Sequence, residues 1–365
     1  MSDVRERVTR AWHGGVGPTA ARVLGVASGG YRGLLGAREW LYARGVLASR
    51  ALGVPVVSIG NLTVGGTGKT PAVELAVRTL KEFGHRPAVL SRGYGRRGHG
   101  IQVVADAVST RLDAEEAGDE PFVLARRLPG VPIVVGPNRH AAGRHAVERF
   151  GVSAIVLDDG FQHRTLAKDL EIVMARARAP WGNGRLLPGG PLREPLAALG
   201  RAHLIVVTAA RAAEDVGEVA ATAREHAPGV PVLAARHVAS ECWEAGAMRL
   251  LGPDVLRGQK LFAFAGIGAP DGFRQTLAET GALEAGFARF ADHHWYTLEE
   301  LGTLERRAQA ASAVGLVTTE KDWARLRQFP ARAVPLYVLG VRLALVSGEA
   351  EWRAAFARAC PPRSA

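Results

Sequence analysis

From residue 54 onward the chain alternates short apolar, β-branched runs with longer stretches rich in Ala, Leu and Arg. The runs stand at Val54–Ile59, Ala88–Leu90, Ile133–Val135, Ala154–Leu157, Glu171–Met174 and His203–Val207. Between them, Pro71–Phe83 and Ala141–Phe150 predict helices. Apolar strands separated by helices imply a parallel sheet covered on both faces, an α/β fold. The same order resumes after residue 240 with Leu261–Ala265, Gly315–Thr319 and Pro335–Leu339. Three parts are predicted: a helical segment over 1–50, a large α/β domain over 51–245 and a smaller α/β domain over 246–365.

Residues 19–50 predict one helix or two, interrupted by Gly29, Gly30, Gly33 and Gly36. Leu24, Tyr31, Leu35, Tyr42 and Val46 recur at steps of seven and four and so share one stripe, with Arg38 inside it. Such a stripe either packs on the core or, with Trp40 and the surrounding arginines, rests on lipid headgroups. The second is the expectation taken forward.

With 47% hydrophobic and 22% charged residues, the composition is that of a globular protein. Its two cysteines, Cys242 and Cys360, lie far apart, which argues against a zinc site or a disulfide framework and fits a reducing cytosol. The formal charge of +11 suits an anionic partner: nucleic acid, a membrane or a phosphorylated substrate. Residues 1–50 hold eight arginines against three acids, a net of +5. Aromatic content is 6%, and no zinc-finger, KH or RNP motif is present, so no nucleic-acid partner is expected. There is no signal-peptide pattern, and Arg interrupts the N-terminal apolar stretch too often for a membrane span. The expected location is cytoplasmic, peripheral to a membrane.

The strongest chemical signal is Gly65-Gly66-Thr67-Gly68-Lys69-Thr70, between the first strand and a helix. Glycines let backbone N–H groups turn toward phosphate oxygens, a lysine adds a charge at the β/γ-phosphates, and the threonine hydroxyl can ligate Mg²⁺. Thr63 replaces the first glycine of the strict phosphate-loop pattern. The strand Ala154–Leu157 ends in Asp158-Asp159, one of which is expected to hold the metal. Together these predict a P-loop enzyme that binds a nucleotide with Mg²⁺.

The segments around these motifs resemble one family, the tetraacyldisaccharide 4'-kinases. The likeness covers Ser58–Pro71, Leu90–Gly95, Gly118–Pro121, Leu157–His163 and Gly182–Pro195. It continues through Gly266–Gly268, Asp292–His294 and Thr318–Asp322, in the same order along nearly the whole chain. The resemblance implies a P-loop kinase with a second, smaller domain and an N-terminal helix that contacts the bilayer. It implies ATP-dependent phosphorylation of the 4'-hydroxyl of a tetraacylated disaccharide 1-phosphate, at the cytoplasmic face of the inner membrane.

Gly65, Gly66, Thr67, Gly68, Lys69, Thr70 and Pro71 then hold the nucleotide, and Thr70, Asp158, Asp159 and Glu120 surround the metal. Asp119 is the candidate base by this resemblance, with His293 polarising it or sharing its proton, while His163, Arg193 and Glu194 line the acceptor or phosphate region. Asp292, His293 and His294 are not expected to form a metal site, because neighbours on a strand point to opposite faces. The rival function is a P-loop ATPase switch on a membrane or nucleoid surface. Such a switch needs the phosphate loop and the paired aspartates, but neither Asp119 nor His293.

Overall fold

In a computed structural model the described residues are 12, 17–247, 249–326 and 334–363. The arginines and acids of residues 1–11, and the last two residues of the Pro/Arg tail, lie outside them.

The chain enters through helix α1 (Pro18–Ala43) and strand β1 (Val56–Gly60), followed by α2 (Lys69–Glu82) and β2 (Pro87–Ser91). Next come β3 (Gln102–Ala105), α3 (Ala114–Ala117), α4 (Asp119–Arg127), β4 (Ile133–Val135), α5 (Arg139–Phe150) and β5 (Ala154–Asp158). Strands β6 (Leu170–Arg176) and β7 (Leu204–Thr208) precede α6 (Gly217–His226) and the long β8 (Val232–Glu244). A short β9 (Arg249–Leu250) leads to β10 (Lys260–Ala265), α7 (Pro270–Glu279), β11 (Leu283–Arg289) and α8 (Leu298–Ala310). The chain closes with β12 (Gly315–Thr319), α9 (Glu320–Ala324), β13 (Leu336–Leu345) and α10 (Glu349–Ala359).

The strands form one sheet in the order β11-β10-β12-β13-β8-β7-β6-β1-β5-β2-β4-β3, with β9 beside β8. Pairing is parallel except at β3/β4, β8/β13 and β8/β9. Strands β1, β2, β5 and β7 are buried along their whole length, as expected of strands covered on both faces. Strand β8 joins the two halves of the sheet: Val232–Ala234 pair with β7, and the rest pairs with β13. Its alternating Arg, His, Ser and Glu gave no clear strand signal, because one face is only partly covered.

The C-terminal helix returns to the first half. Trp352 and Phe356 join the core beneath α2, and the Trp352 indole N–H donates to Thr79 Oγ1 at 3.0 Å. The sequence reading had grouped this helix with residues 246–365. Contact with a core so distant in sequence has no local signal.

Residues 18–43 are a single helix despite its glycines. Gly25, Gly29, Gly30, Gly33 and Gly36 all face open space, where each costs about 1 kcal/mol of helix propensity without breaking the packed side. The apolar stripe was expected to meet a membrane; the structure turns it inward instead. Leu35 is buried with Leu62, Trp181 and Leu192, and the Tyr31 hydroxyl donates to the Arg193 carbonyl at 2.9 Å. Arg38 inside the stripe is answered by Glu194, whose side chain is 2% exposed. Val46, beyond the helix end, is exposed and does not belong to the stripe.

An ion network ties three elements together. Arg127 at the end of α4 pairs with Glu74 of α2 and with Glu320 of α9, and its side chain is 4% exposed. Removing Arg127 strands the buried Glu320 without a counterion, while Glu74 keeps Arg78. Arg127→Ala is therefore expected to cost about 3–5 kcal/mol of stability, read as a lower urea midpoint. A loss under about 1 kcal/mol would show that water compensates Glu320.

Candidate active site

Parallel strands gather their carboxyl ends, and the loops that follow form the crevice where such sheets bind ligands. The register sets Ile59 of β1 opposite Asp158 of β5, so residues 61–68 lie beside the aspartate pair. The crossing is tight: a Cβ on Gly60 would stand 2.5 Å from Phe161 Cβ. Loop 61–64 is pinned by Val64 N–H to the Pro191 carbonyl at 2.8 Å and Arg193 N–H to the Leu62 carbonyl at 2.7 Å. Gly68 has φ +79°, and a Cβ there would meet His237 Nε2 at 2.8 Å, so only glycine fits.

Lys69 opens α2, with Nζ 3.2 Å from Asn61 Oδ1 and 3.5 Å from Asp159 Oδ1. Thr70 is buried in the first turn. Gly65 and Gly66 leave open space, and Thr67 Oγ1 has no hydrogen-bond partner among the described residues. Pro71, in the same turn, has no N–H to offer a phosphate.

His237 reaches this loop from β8. Burial, then the charges of Lys321 and Arg176, lowers its pKa to about 4, so it is neutral at pH 7. An unfolded histidine takes up its proton at about pH 6.5. The folded state therefore binds fewer protons between these values, and stability falls as pH drops through this window. His237→Gln is expected to flatten the decline in melting temperature between about pH 6.5 and pH 4. An unaltered slope would assign the acid sensitivity to other groups.

Asp158 ends β5 fully buried; Ser91 Oγ donates to its Oδ2 at 2.9 Å, while Oδ1 has no partner among the described residues. Burial, then the charges of Glu120 and Asp159, push its carboxyl up to about 7. Asp159 has φ 53°, and Arg193 Nη1 lies 3.0 and 2.8 Å from its two oxygens. Burial raises Asp159, but Lys69 and Arg193 outweigh it and hold the carboxyl below its ordinary range.

Asp119 and Glu120 open α4, where the helix N-terminus favours negative charge. His293 comes from the loop after β11, not from a strand as expected, and has φ 63°. Its Nδ1 stands 3.1 Å from Asp119 Oδ2, although the residues are 174 apart in sequence. Asp119 and His293 thus meet, while Asp292 Oδ2 lies 3.8 Å from the other ring nitrogen, Nε2. Asp159 and His293 are two of five non-glycine residues with positive φ among those described, a conformation that costs energy and concentrates at functional sites.

Burial alone would raise Asp119. The His293 hydrogen bond and the Arg325 and Lys321 charges outweigh it and hold the carboxyl well below the usual range. A carboxyl so depressed contributes stability at neutral pH, and loses it only as strong acid protonates the folded state.

The three expected acceptor residues part company. Arg193 sits against Asp159. His163 lies nearby with Nε2 2.8 Å from Thr165 Oγ1; burial, with Arg139, Lys168 and Arg92, lowers its pKa to about 4. Glu194 is spent on Arg38 and Arg201, which fasten α1 to the body. Among the arginines near Tyr94, Arg97 pairs with Glu115, while Arg96 turns to Gln102 and Gly100. Sequence reasoning gave no role to Asn61, Ser91, Lys321 or Arg325. The last two stand four apart after β12, a spacing that puts both cations on one helical face.

Comparison with known proteins shows the family. The family model for tetraacyldisaccharide-1-P 4'-kinase matches residues 20–360. A tetraacyldisaccharide 4'-kinase of Anaeromyxobacter sp. (strain Fw109-5) is 46% identical over 89% of this chain and 87% of its own. Another from Syntrophus aciditrophicus is 41% identical over 93% of this chain and 95% of its own. Among solved structures, "apo" form LpxK from Aquifex aeolicus in complex with ATP superposes with a TM-score of 0.73 at 30% identity. That match covers 93% of this chain and 99% of the other. With a family match over nearly its whole length and a shared mixed α/β fold, the chain belongs to the tetraacyldisaccharide-1-P 4'-kinase family.

Proposed function

We propose that this chain transfers the γ-phosphoryl group of ATP to the 4'-hydroxyl of tetraacyldisaccharide 1-phosphate, a step of lipid A biosynthesis. The observation that carries the reading is the convergence of loop 61–68, Asp158-Asp159 and the Asp119–His293 pair at one end of the sheet, in a chain of this family.

In this reading residues 61–68 form the phosphate-binding loop. Backbone N–H groups and the start of α2 hold the phosphate oxygens, and Lys69 places its charge at the β/γ-phosphates. Asp158, Asp159, Glu120 and Thr70 are the residues that would hold a Mg²⁺ ion. The unpartnered Oδ1 of Asp158, and a carboxyl pushed up to about 7 by burial and then by the neighbouring acids, mark a place where a cation would be favoured. Among the described residues no three acidic, imidazole or thiol groups form a ready metal cluster, so these side chains would hold the ion only together with the bound nucleotide. When bound, the ion offsets charge on the transferring phosphoryl group.

Asp119 selects the Nδ1–H tautomer of His293, which leaves the lone pair on Nε2. The 4'-hydroxyl gives its proton to the dyad at Nε2 as its oxygen bonds the γ-phosphorus. The bond from that phosphorus to the β–γ bridging oxygen breaks, and ADP leaves with the electron pair. The Asp119 carboxylate balances the imidazolium. Arg193 beside Asp159 and the exposed Arg92 near His163 line the approach of the anionic acceptor.

The protein works at the cytoplasmic face of the inner membrane through the outer face of α1, where Val23, Val26, Leu34 and Trp40 are exposed beside Arg22 and Arg32. No helix among the described residues is long and apolar enough to cross a membrane. Each apolar side chain moved into lipid contributes roughly 1–2 kcal/mol. The triple variant Val26→Ser, Leu34→Ser, Trp40→Ser is expected to bind anionic phospholipid vesicles at least about tenfold more weakly, with its melting temperature retained. Equal binding would exclude this face as the contact.

The test of the reaction is transfer of labelled γ-phosphate from Mg²⁺–ATP to detergent-dispersed tetraacyldisaccharide 1-phosphate. A labelled bisphosphorylated lipid is the expected product. Hydrolysis of ATP with unlabelled lipid would replace the kinase reading by an ATPase.

A further inference from the structure

After β12 the chain turns at once into α9, capped by Thr319, whose Oγ1 accepts from the Asp322 N–H at 3.2 Å. Lys321 and Arg325 are one helical turn apart, and both reach the start of α4. Lys321 Nζ pairs with Glu120 Oε1. Arg325 donates to Asp119 Oδ2 from Nε at 2.7 Å and again from Nη2. Two adjacent carboxylates on the nucleotide-loop side of the sheet are thus each met by a cation from the other side. These partners are 201 and 206 residues apart in sequence.

Arg325 is 1% exposed, and every hydrogen bond it makes goes to the dyad or to what holds the dyad. Its Nη1 donates to the Gly266 carbonyl at 2.8 Å, the same oxygen that accepts the His293 backbone N–H at 3.1 Å. Its Nη2 is also 3.3 Å from His293 Nδ1. Asp322 secures the other end: its Oδ1 accepts from the Gly266 N–H and from the Tyr296 hydroxyl, each at 2.8 Å, and stands 3.5 Å from Arg325 Nη1. One guanidinium therefore grips the carboxylate of Asp119 and the loop that carries His293. Burying a charge whose donors serve nothing else is a costly way to fill space.

We propose that Arg325 is a positioning residue for phosphoryl transfer, fixing Asp119 against His293 across the junction between the two halves of the sheet. Lys321 seats the neighbouring Glu120 in the same way. The inference rests on the reading of Asp119 and His293 as the proton-accepting pair. With two guanidinium donors and Nδ1–H on Oδ2, and the Glu120 N–H 2.9 Å from Oδ1, the carboxylate cannot swing away. The imidazole then keeps Nε2 toward the acceptor. Without Arg325, only the imidazole and one backbone N–H hold the carboxylate, and the ring is free to leave its productive angle.

The experiment measures kcat and KM of lipid phosphorylation for the full chain, Arg325→Ala, Arg325→Lys, His293→Ala and the double variant Arg325→Ala/His293→Ala. Misplacing a catalytic group by about 1 Å costs on the order of 10²-fold. Arg325→Ala is expected to lose about that factor in kcat, with KM for ATP within about twofold of the parent. Millimolar guanidinium chloride restores part of the loss in Arg325→Ala and none in His293→Ala, and Arg325→Lys, which keeps the charge but not the fork, retains more activity than Arg325→Ala. The double variant is no worse than His293→Ala, because the two residues act as a unit.

Losses that add in the double variant, or an Arg325→Lys as impaired as Arg325→Ala without guanidinium rescue, would overturn the inference. Should Arg325→Ala fail to fold, the lysine variant decides through its kcat and its coupling to His293→Ala. A His293→Ala enzyme with parental kcat would instead sink the dyad reading itself.

Discussion

Lys69→Ala is expected to lower kcat for lipid phosphorylation by about 10³-fold, the range seen when one preorganised charge is taken from a developing anion. In the structure this ammonium has no other heavy duty. It is held 3.2 Å from Asn61 Oδ1 and 3.5 Å from Asp159 Oδ1, at the first position of α2. Without Lys69, Asp159 keeps Arg193, Glu120 keeps Lys321 and Asp158 keeps the Ser91 hydroxyl, so the fold should persist with a near-parental melting temperature. Lys69→Arg is expected to recover little. A planar fork cannot take the place of a compact ammonium in a loop bounded by Gly68, beside which His237 leaves no room even for a Cβ. Single-turnover measurement separates this loss from ATP binding. An Ala variant with more than a tenth of parental kcat would remove Lys69 from the transition state.

The strands that flank this lysine were legible because each is a short apolar run, buried on both faces. Predicted and observed ends of β4 and β12 coincide, and those of β1, β2, β5 and β7 differ by one or two residues. The glycine loop before Lys69 and Asp158-Asp159 were equally plain as motifs, being contiguous. What remained hidden was direction and long-range pairing. The α1 stripe carries the same residues whether it meets lipid or protein. Only the distant Glu194 and the Arg193 carbonyl, which take Arg38 and Tyr31, decide the matter. Arg325 and Asp119 are 206 residues apart, and no periodicity joins them. The resemblance named Asp119 and His293 together. It did not foresee that His293 would sit in a left-handed turn, or that a buried arginine would stand between the two.

That arginine makes the two halves of the dyad respond differently to substitution. His293→Ala removes the proposed proton acceptor and is expected to reduce kcat by about 10²–10⁴-fold, the usual contribution of general base catalysis. Its stability should change little, since the ring is partly exposed and Asp119 keeps Arg325 as its counterion. Asp119→Asn leaves Arg325 buried with its main anionic partner gone, Asp322 remaining 3.5 Å away. An uncompensated buried charge costs about 3–5 kcal/mol, so Asp119→Asn should lose both activity and thermal stability. In the double variant Asp119→Asn/His293→Ala, the activity losses should not multiply, because each single change already disables the pair. The stability losses should follow Asp119→Asn alone. If the activity losses multiplied, the two residues would be acting on separate steps, and the proton would need another acceptor. If Asp119→Asn were as stable as the parent, Asp322 alone would suffice to neutralise Arg325, and the guanidinium would be less firmly committed to the dyad than its contacts imply.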